Sequence, residues 1–340
     1  MGDLDKALET YLPALEEEMR AALQPRGPSQ VELFGMLGYH MGWVDSSFDA
    51  CEARSGKRVR PTLCLLACDG CHGAWERALP AAAALELLHN FTLIHDDIED
   101  RDRTRRNRPT VWSLWGEPQA INAGDTLLAL AQLALLGLQE KGISPEIVLQ
   151  ATRLFNATCV TLTVGQYLDI SFESRSEVSV ADYLEMIEAK TGALVACSCE
   201  MGALIAGAQD AQRECLRAFG RHLGLAFQMQ DDILGIWGDS DATGKPVGAD
   251  IARRKKTLPL LHGLESSPAL RLLTDRDTLS AGDVRQATEL LAIVGSRDFT
   301  KLLARQHHGK ALDALQRAEL QPHATRALRE LSSELVSRDR

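Results

Sequence analysis

The run ALPAAAALELLHNFTLIHDDI, residues 78 to 98, is apolar on nearly every side of a helix until its last turn, and KTGALVACSCEMGALIAGA at 190 to 208 is similar. A helix with no polar face has no side to give to water, so it belongs inside a large helical assembly. Elsewhere Ala and Leu dominate, apolar residues recur every three or four positions, and the period-two alternation of strands is scarce. The fold class expected is all-α. Helices are predicted over 4–23, 31–45, 60–70, 78–100, 119–140, 145–172, 180–208, 210–238 and 257–266, with three shorter ones after residue 280. QPRGPSQ at 24–30 breaks the first of them. Length alone suggests about two domains. No linker or composition shift divides the 340 residues, so one domain over 1–340 is expected, with its motifs in 55–260.

The formal charge of −10 argues against nucleic acid as a partner, because phosphate backbones attract net basic faces. Any anionic ligand must be met by a local basic cluster. Eight cysteines are scattered, several within apolar runs. Cys68 and Cys71 form one CxxC without a second pair or a histidine to complete a zinc site, so the thiols are read as reduced and packed. MGDLDKALETYL has neither a basic start nor an apolar core segment, and no apolar run approaches the ~18 residues needed to span a bilayer. A cytoplasmic protein without a transmembrane segment is expected.

The chemistry concentrates at LIHDDIEDRDRTRRNRPT, residues 93 to 110, with five acids between Asp96 and Asp102 and five arginines between Arg101 and Arg108. Asp96 and Asp100 are four apart, about 40° round one helical face, and can share a cation. His89 lies two turns earlier on that stripe, and Asp97 about 100° away. Carboxylates suit Mg²⁺, which commonly takes one or two of them and completes its shell with phosphate oxygens. No DxDxDG loop follows, so an EF-hand is excluded. Taken alone, the cluster could equally be a solvated helix end. A second acidic pair, Asp231 and Asp232 in GLAFQMQDDILGIWGD, is embedded among residues that want burial, where carboxylates are costly unless paired or metal-bound. Gln228 shares their face. Basic elements recur at SGKRVRP (55–61), at Arg105 and Arg106, at Lys190 with Thr191, at Lys245, and at RRKKT (253–257). Acids and bases in this combination suggest a cavity for diphosphates, held by metal bridges and by direct Lys or Arg contacts.

These elements, in this order, resemble the trans-isoprenyl diphosphate synthases, the polyprenyl synthetase family. Residues 55–61 look like its GKRxRP, 96–110 its DDxxD and RRGxPT, 190–191 its KT, and 227–232 its FQxxDD. GKPVGAD at 244–250 and KKTLP at 255–259 are similar to later family elements. The resemblance implies a bundle of long helices around a deep cavity, usually a homodimer. It implies Lys57, Arg60, His89 and Arg106 for the diphosphate of isopentenyl diphosphate. Arg105, Lys190, Thr191, Gln228, Lys245 and Lys255 are implied for the allylic diphosphate (dimethylallyl, geranyl or farnesyl). Asp96, Asp100 and Asp231 would hold three Mg²⁺ ions, supported by Asp97 and Asp232. The allylic carbon–oxygen bond breaks, the isopentenyl double bond attacks the cation, and the released diphosphate takes the proton. Within the first stretch, Glu99, Asp102, Arg101, Arg103 and Arg108 are read as solvated.

Two positions depart from the family pattern. Gly235 stands where many members carry a third Asp, and Asn107 replaces a Gly that the turn can do without, since Asn accepts the left-handed backbone. In this family the residues four and five before the first Asp stop the growing chain. Small Thr92 and bulky Phe91 imply C20 geranylgeranyl diphosphate, then C15 farnesyl diphosphate, although spacing alone would make Phe91 ordinary packing. The competing readings are a class I terpene cyclase, a head-to-head coupling enzyme of the squalene synthase kind, and a non-catalytic subunit of a heteromeric synthase.

Overall fold

The computed structural model describes residues 1–53, 56–175, 177–238, 247–276 and 278–337. Sixteen helices carry its regular structure among these residues: α1 Asp3–Ala22, α2 Val31–Met41, α3 Val59–Gly70, α4 Leu79–Glu99, α5 Val111–Trp115, α6 Glu117–Leu136, α7 Pro145–Ser174, α8 Val180–Ile187, α9 Ala193–Ala206, α10 Asp210–Trp237, α11 Ala249–Ala252, α12 Leu258–Ser266, α13 Pro268–Thr274, α14 Ala281–Ile293, α15 Ser296–Arg317 and α16 Pro322–Val336. One two-residue hairpin, β1 Thr104–Arg105 with β2 Arg108–Pro109, is the paired sheet among the described residues. The all-α expectation holds.

Two helices stop four residues short of their predicted ends, α2 and α6, the latter at Leu136 rather than 140, and a third changes pitch. α2 was expected to reach residue 45 but ends at Met41, where Gly42 takes φ 85°. The stretch 180–208 is not continuous. Glu188–Gly192 forms a π turn between α8 and α9, a wider coil that typically marks a functional site.

Contacts group the chain into two compact units. The first comprises Met1–Phe155, Ser198–Arg213 and Leu320–Ala327; the second comprises Asn156–Cys197, Glu214–Glu319 and Leu328–Arg340. In the first, α4 is buried all round from Leu79 to Leu88, as its composition demanded. Small residues Ala120, Ala123 and Gly124 are buried along α6, the helix it contacts most. Arg58, 6% exposed, donates through Nη1 to Glu86 of α4 at 2.8 Å and through Nη2 to Glu16 of α1 at 3.3 Å. A buried guanidinium so paired ties three helices at one end, and losing either buried partner would strand the other.

In the second unit Phe172, Tyr183, Met186, Leu225, Met229, Leu258 and Leu261 pack one core. Ile236, Ile251, Leu260, Leu270 and Leu291 pack another. α10 supplies residues to both cores, which fixes its orientation and hence that of the carboxylates on it.

Two helical stretches are long and apolar enough to cross a membrane by length and composition, Pro145–Ser174 and Val180–Ala206. The second is 78% buried over its apolar window, so core packing accounts for it, whereas the first is 28% buried. All eight cysteines are free thiols. Burial pushes those of Cys68 and Cys71 up to about 12, which leaves them protonated and poor metal ligands.

Candidate active site

In the first unit α4 ends at Glu99, and Asp100 is its C-cap, donating its N–H to the Asp96 carbonyl at 2.8 Å. The i, i+4 relation that brings Asp96 and Asp100 to one face therefore survives the helix end. Asp97 points elsewhere. It is 2% exposed, and its Oδ1 accepts from Arg105 Nε at 2.8 Å and Nη2 at 2.7 Å. Burial pushes its carboxyl up to about 6, Arg105 pulls it down, and the charges of Asp102 and Asp96 push it up. Its Oδ2 is buried with no donor among the described residues.

Arg105 is held because β1 and β2 are joined by a two-residue turn, with Arg105 paired to Arg108 and both turn residues left-handed: Arg106 at φ 53° and Asn107 at φ 62°. That is the turn whose twist matches a hairpin. Asn at 107 is compatible with it, as expected. Arg106 reaches back to the chain before α3, its Nη2 2.8 Å from the point a Cβ on Gly56 would occupy.

His89 sits in the field of Arg60, Arg106 and Arg105. Burial first, then those charges, hold its imidazole well below its ordinary pKa, so at neutral pH it is an uncharged donor. Arg60 is half-buried and Lys57 exposed. A cavity of about 30 Å³ is lined by His40, Asp97, Arg105, Arg106, Arg108 and Tyr39. Burial and the arginines push the His40 imidazole down to about 3.

In the second unit Asp232 is 2% exposed. Its Oδ2 accepts from the Tyr183 hydroxyl and from the Leu258 N–H at 3.0 Å, and its Oδ1 from Gln228 Nε2 at 3.2 Å. Thr191 donates to Gln228 Oε1 at 2.9 Å. Burial raises the Asp232 carboxyl to about 6 against the pull of Tyr183, the Leu258 N–H and Lys255. Lys190 lies in the π turn and pairs with Asp169 at 2.6 Å. The turn fits there because α7 presents Gly165: a Cβ would come within 2.6 Å of Lys190 Cα. Asp231 is half-buried on the same helix. Lys245 lies outside the described residues.

The Polyprenyl synthetase family model matches residues 41–291. The chain belongs to that family. The family's members are prenyltransferases. A geranylgeranyl diphosphate synthase of Mycobacterium tuberculosis is 40% identical over 94% of this chain and 89% of its own, and a (2E,6E)-farnesyl diphosphate synthase of Mycobacterium bovis is 40% identical over 89% and 85%. Among solved structures, a polyprenyl synthetase from Streptomyces coelicolor is 36% identical with a TM-score of 0.87, covering 98% of each chain. A polyprenyl synthase from Caulobacter crescentus, complexed with calcium and isoprenyl diphosphate, is 30% identical with a TM-score of 0.84, covering 99% and 98%.

Some partners differ from those expected. Arg108 is not solvated: it donates to the carbonyls of Tyr39 (3.1 Å) and Val44 (2.8 Å) and lies 4.0 Å over the Tyr39 ring. Those bonds anchor the far strand of the hairpin. The backbone carbonyl of Asp102 accepts from Thr110 and Trp112, which ties the start of the hairpin to its far side. Tyr183, Asp169 and His40 were not singled out from the sequence, since none stands in a motif, and Arg58, although it stands in SGKRVRP, was given no role of its own. Thr92 donates to the His89 carbonyl, and Phe91 packs edge-on against His95 with ring centroids 4.7 Å apart. The His95 ring fills the space over Gly124 of α6.

Among the described residues no three His, Cys, Asp or Glu side chains converge tightly enough to hold an ion by themselves. The donors present are nonetheless those of a hard divalent cation, carboxylate oxygens whose shell a diphosphate completes. The donorless Oδ2 of Asp97 fits a water of such a shell, because a buried carboxylate oxygen without a donor costs about 1–3 kcal/mol or more.

Proposed function

We propose that this chain condenses isopentenyl diphosphate head-to-tail with an allylic diphosphate in the trans configuration, giving C20 geranylgeranyl diphosphate, with C15 farnesyl diphosphate as the next choice. One observation supports the reading: Asp97, on the helix end that carries Asp96 and Asp100, locks Arg105, and Arg60, Arg106 and Arg105 all act on neutral His89 of the same helix, an anion-binding group. A condensing enzyme needs both an ionising and a non-ionising diphosphate site.

Asp96, Asp100 and Asp231 would bind Mg²⁺, three ions with the allylic diphosphate, and the bound metal would supply electrophilic stabilisation of the departing diphosphate. Arg105 spends Nε and Nη2 on Asp97 and keeps Nη1 for that anion. Lys190, Thr191, Gln228, Lys255 and Lys245 would bind it as well. Lys57, Arg60, Arg106 and His89 would hold isopentenyl diphosphate, His89 as a neutral donor. Asp232 keeps Gln228 oriented through Oδ1, and Asp97 keeps Arg105 oriented, so both act on positions rather than on substrate. Phe91, half-buried against His95, would end the product path. Residues 1–340 would act as one catalytic domain, with the motifs in 55–260.

The chain would work as a homodimer in the cytoplasm. α6 leaves Ile121, Leu133 and Leu136 exposed, and α7 leaves Val160, Val164, Tyr167 and Ile170 exposed, apolar surface of the kind a second copy covers. Light scattering giving twice the mass of 37.2 kDa is the expected result.

The decisive experiment incubates purified protein with Mg²⁺, isopentenyl diphosphate and each of dimethylallyl, geranyl and farnesyl diphosphate, and reads product length by chromatography. C20 from at least one primer is expected. No elongation with any primer refutes the reading, and a cyclic hydrocarbon would favour the terpene cyclase. Asp96→Ala should abolish turnover without altering the circular dichroism spectrum. Retained turnover would place the metal elsewhere.

A further inference from the structure

Two histidines of the second unit meet outside the groups assigned to metal and diphosphate. His222 of α10 and His307 of α15 face each other through their Nδ1 atoms at 3.1 Å, with ring centroids 5.2 Å apart and planes tilted by 57°. Both are half-buried, so ions in solution can reach them. Their backbones are fixed one turn away, where Leu225 of α10 and Ala304 of α15 pack in one core with Tyr183 and Met229. Neither ring stands in a motif.

A hydrogen bond between the two needs one ring with its hydrogen on Nδ1 and the other with that nitrogen bare. Burial, the His222 ring, Lys310 and Arg221 push His307 down to about 4, while burial, Arg221 and Lys310 lower His222; Glu188 pulls both the other way. At neutral pH both rings are therefore uncharged, the form in which imidazole binds metal. The first ring has only to move its hydrogen from Nδ1 to Nε2, and two lone pairs then converge. Nitrogens 3.1 Å apart subtend about 95–100° at an ion about 2.0–2.1 Å from each, the zinc–nitrogen distance. That angle lies between octahedral and tetrahedral.

The surroundings suit a borderline transition ion rather than Mg²⁺, which takes oxygen ligands. The Arg221 fork is spent on Glu188, Nε to Oε1 and Nη2 to Oε2, each at 2.6 Å, so a carboxylate offsets the guanidinium beside His222. Lys310 is exposed, and water and salt screen its charge. Glu188 opens the π turn, and α10 presses on the end of that turn: a Cβ on Gly224 would fall 2.8 Å from Gly192 Cα. An ion joining α10 to α15 at this level braces the helix on which the π turn rests.

We propose that His222 and His307 form a binding site for a divalent transition ion of the zinc, nickel or copper kind, with water completing its shell, and that the bound ion clamps α10 to α15.

The test titrates Zn²⁺ into the full chain, free of any affinity tag and in excess Mg²⁺ to occupy the carboxylates, by isothermal calorimetry, and reads the melting temperature of the same samples. The variants are His222→Phe, His307→Phe and His308→Phe, the last a control because His308 bonds through Nε2 to Ser332 at 3.2 Å. The parent should bind Zn²⁺ and melt at a higher temperature with it. His222→Phe and His307→Phe should each lose about tenfold or more in affinity, since losing a ligand costs at least what losing a partner behind one does, and His308→Phe should match the parent. No binding by the parent, or binding that neither His222→Phe nor His307→Phe weakens, overturns the proposal. So does binding that leaves the melting temperature unmoved, because the ion then joins no two helices. Should a phenylalanine variant not fold, the parent itself decides: Cu²⁺ at the pair gives an electron paramagnetic resonance spectrum split by two imidazole nitrogens, and splitting by one or none overturns the proposal.

Discussion

Replacing Tyr183 by Phe removes one hydroxyl from a core and leaves the packing in place, because the ring is 1% exposed among Phe172, Met186, Leu225 and Leu258. What is lost is the Tyr183 hydrogen bond to Asp232, one of three donors to a buried carboxylate. A hydrogen bond to a charged group contributes about 1.5–3 kcal/mol, equivalent to about one to two pH units of carboxyl pKa. Asp232 already titrates at about 6, and Tyr183 is the strongest influence holding it that low. Its folded pKa lies above the ordinary value of 3.8, so its ionisation costs stability as pH rises from about 4 to about 6. In Tyr183→Phe that window extends upward by about one to two units. In EDTA, the variant should melt close to the parent at pH 4.5 and clearly below it at pH 8.5. With Mg²⁺ and substrates, the acidic limb of kcat should move to higher pH. An equal loss of melting temperature at both pH values, with the limb unmoved, would refute this account of Asp232.

Three further outcomes follow from particular contacts. Arg58→Ala leaves Glu86 buried without its cation and should cost about 3–5 kcal/mol in chemical denaturation, while Arg58→Met with Glu86→Gln should recover most of it. A loss under about 1 kcal/mol would show that the pair is replaceable by water. Asn107→Gly should leave activity nearly unchanged, whereas Asn107→Val forces a β-branched residue into the left-handed region at a cost of about 1–2 kcal/mol and should raise KM for the allylic diphosphate. An unchanged KM in the valine variant would mean that the turn does not position Arg105. Phe91→Ala should lengthen the product, read by chromatography; an unchanged distribution removes Phe91 from the floor.

What could be read in advance was local, and what could not was set by partners distant in sequence. The helix over residues 78–100 is legible because apolar side chains alone dictate burial all round, and Asp96 and Asp100 share a face at any helix end that keeps the i, i+4 bond. The π turn at Glu188–Gly192 is not legible from its own residues. It depends on Gly165, on another helix, leaving room for the backbone of Lys190. The same holds for charge. Arg101, Arg105 and Arg108 look alike in the sequence, yet Arg101 is exposed, Arg105 is locked on Asp97, and Arg108 is bound to two carbonyls across the chain. Which charge is solvated is decided by what stands opposite after folding, here residues some 70 positions away for Arg108 and only eight for Arg105. Gly235 shows the consequence most sharply. Read along the chain it is a missing carboxylate, but read across α10 and α11 it is the gap through which Asp250 enters. A motif written as a linear string registers the first and cannot register the second, because which side chain of another segment stands over a residue is decided only by folding.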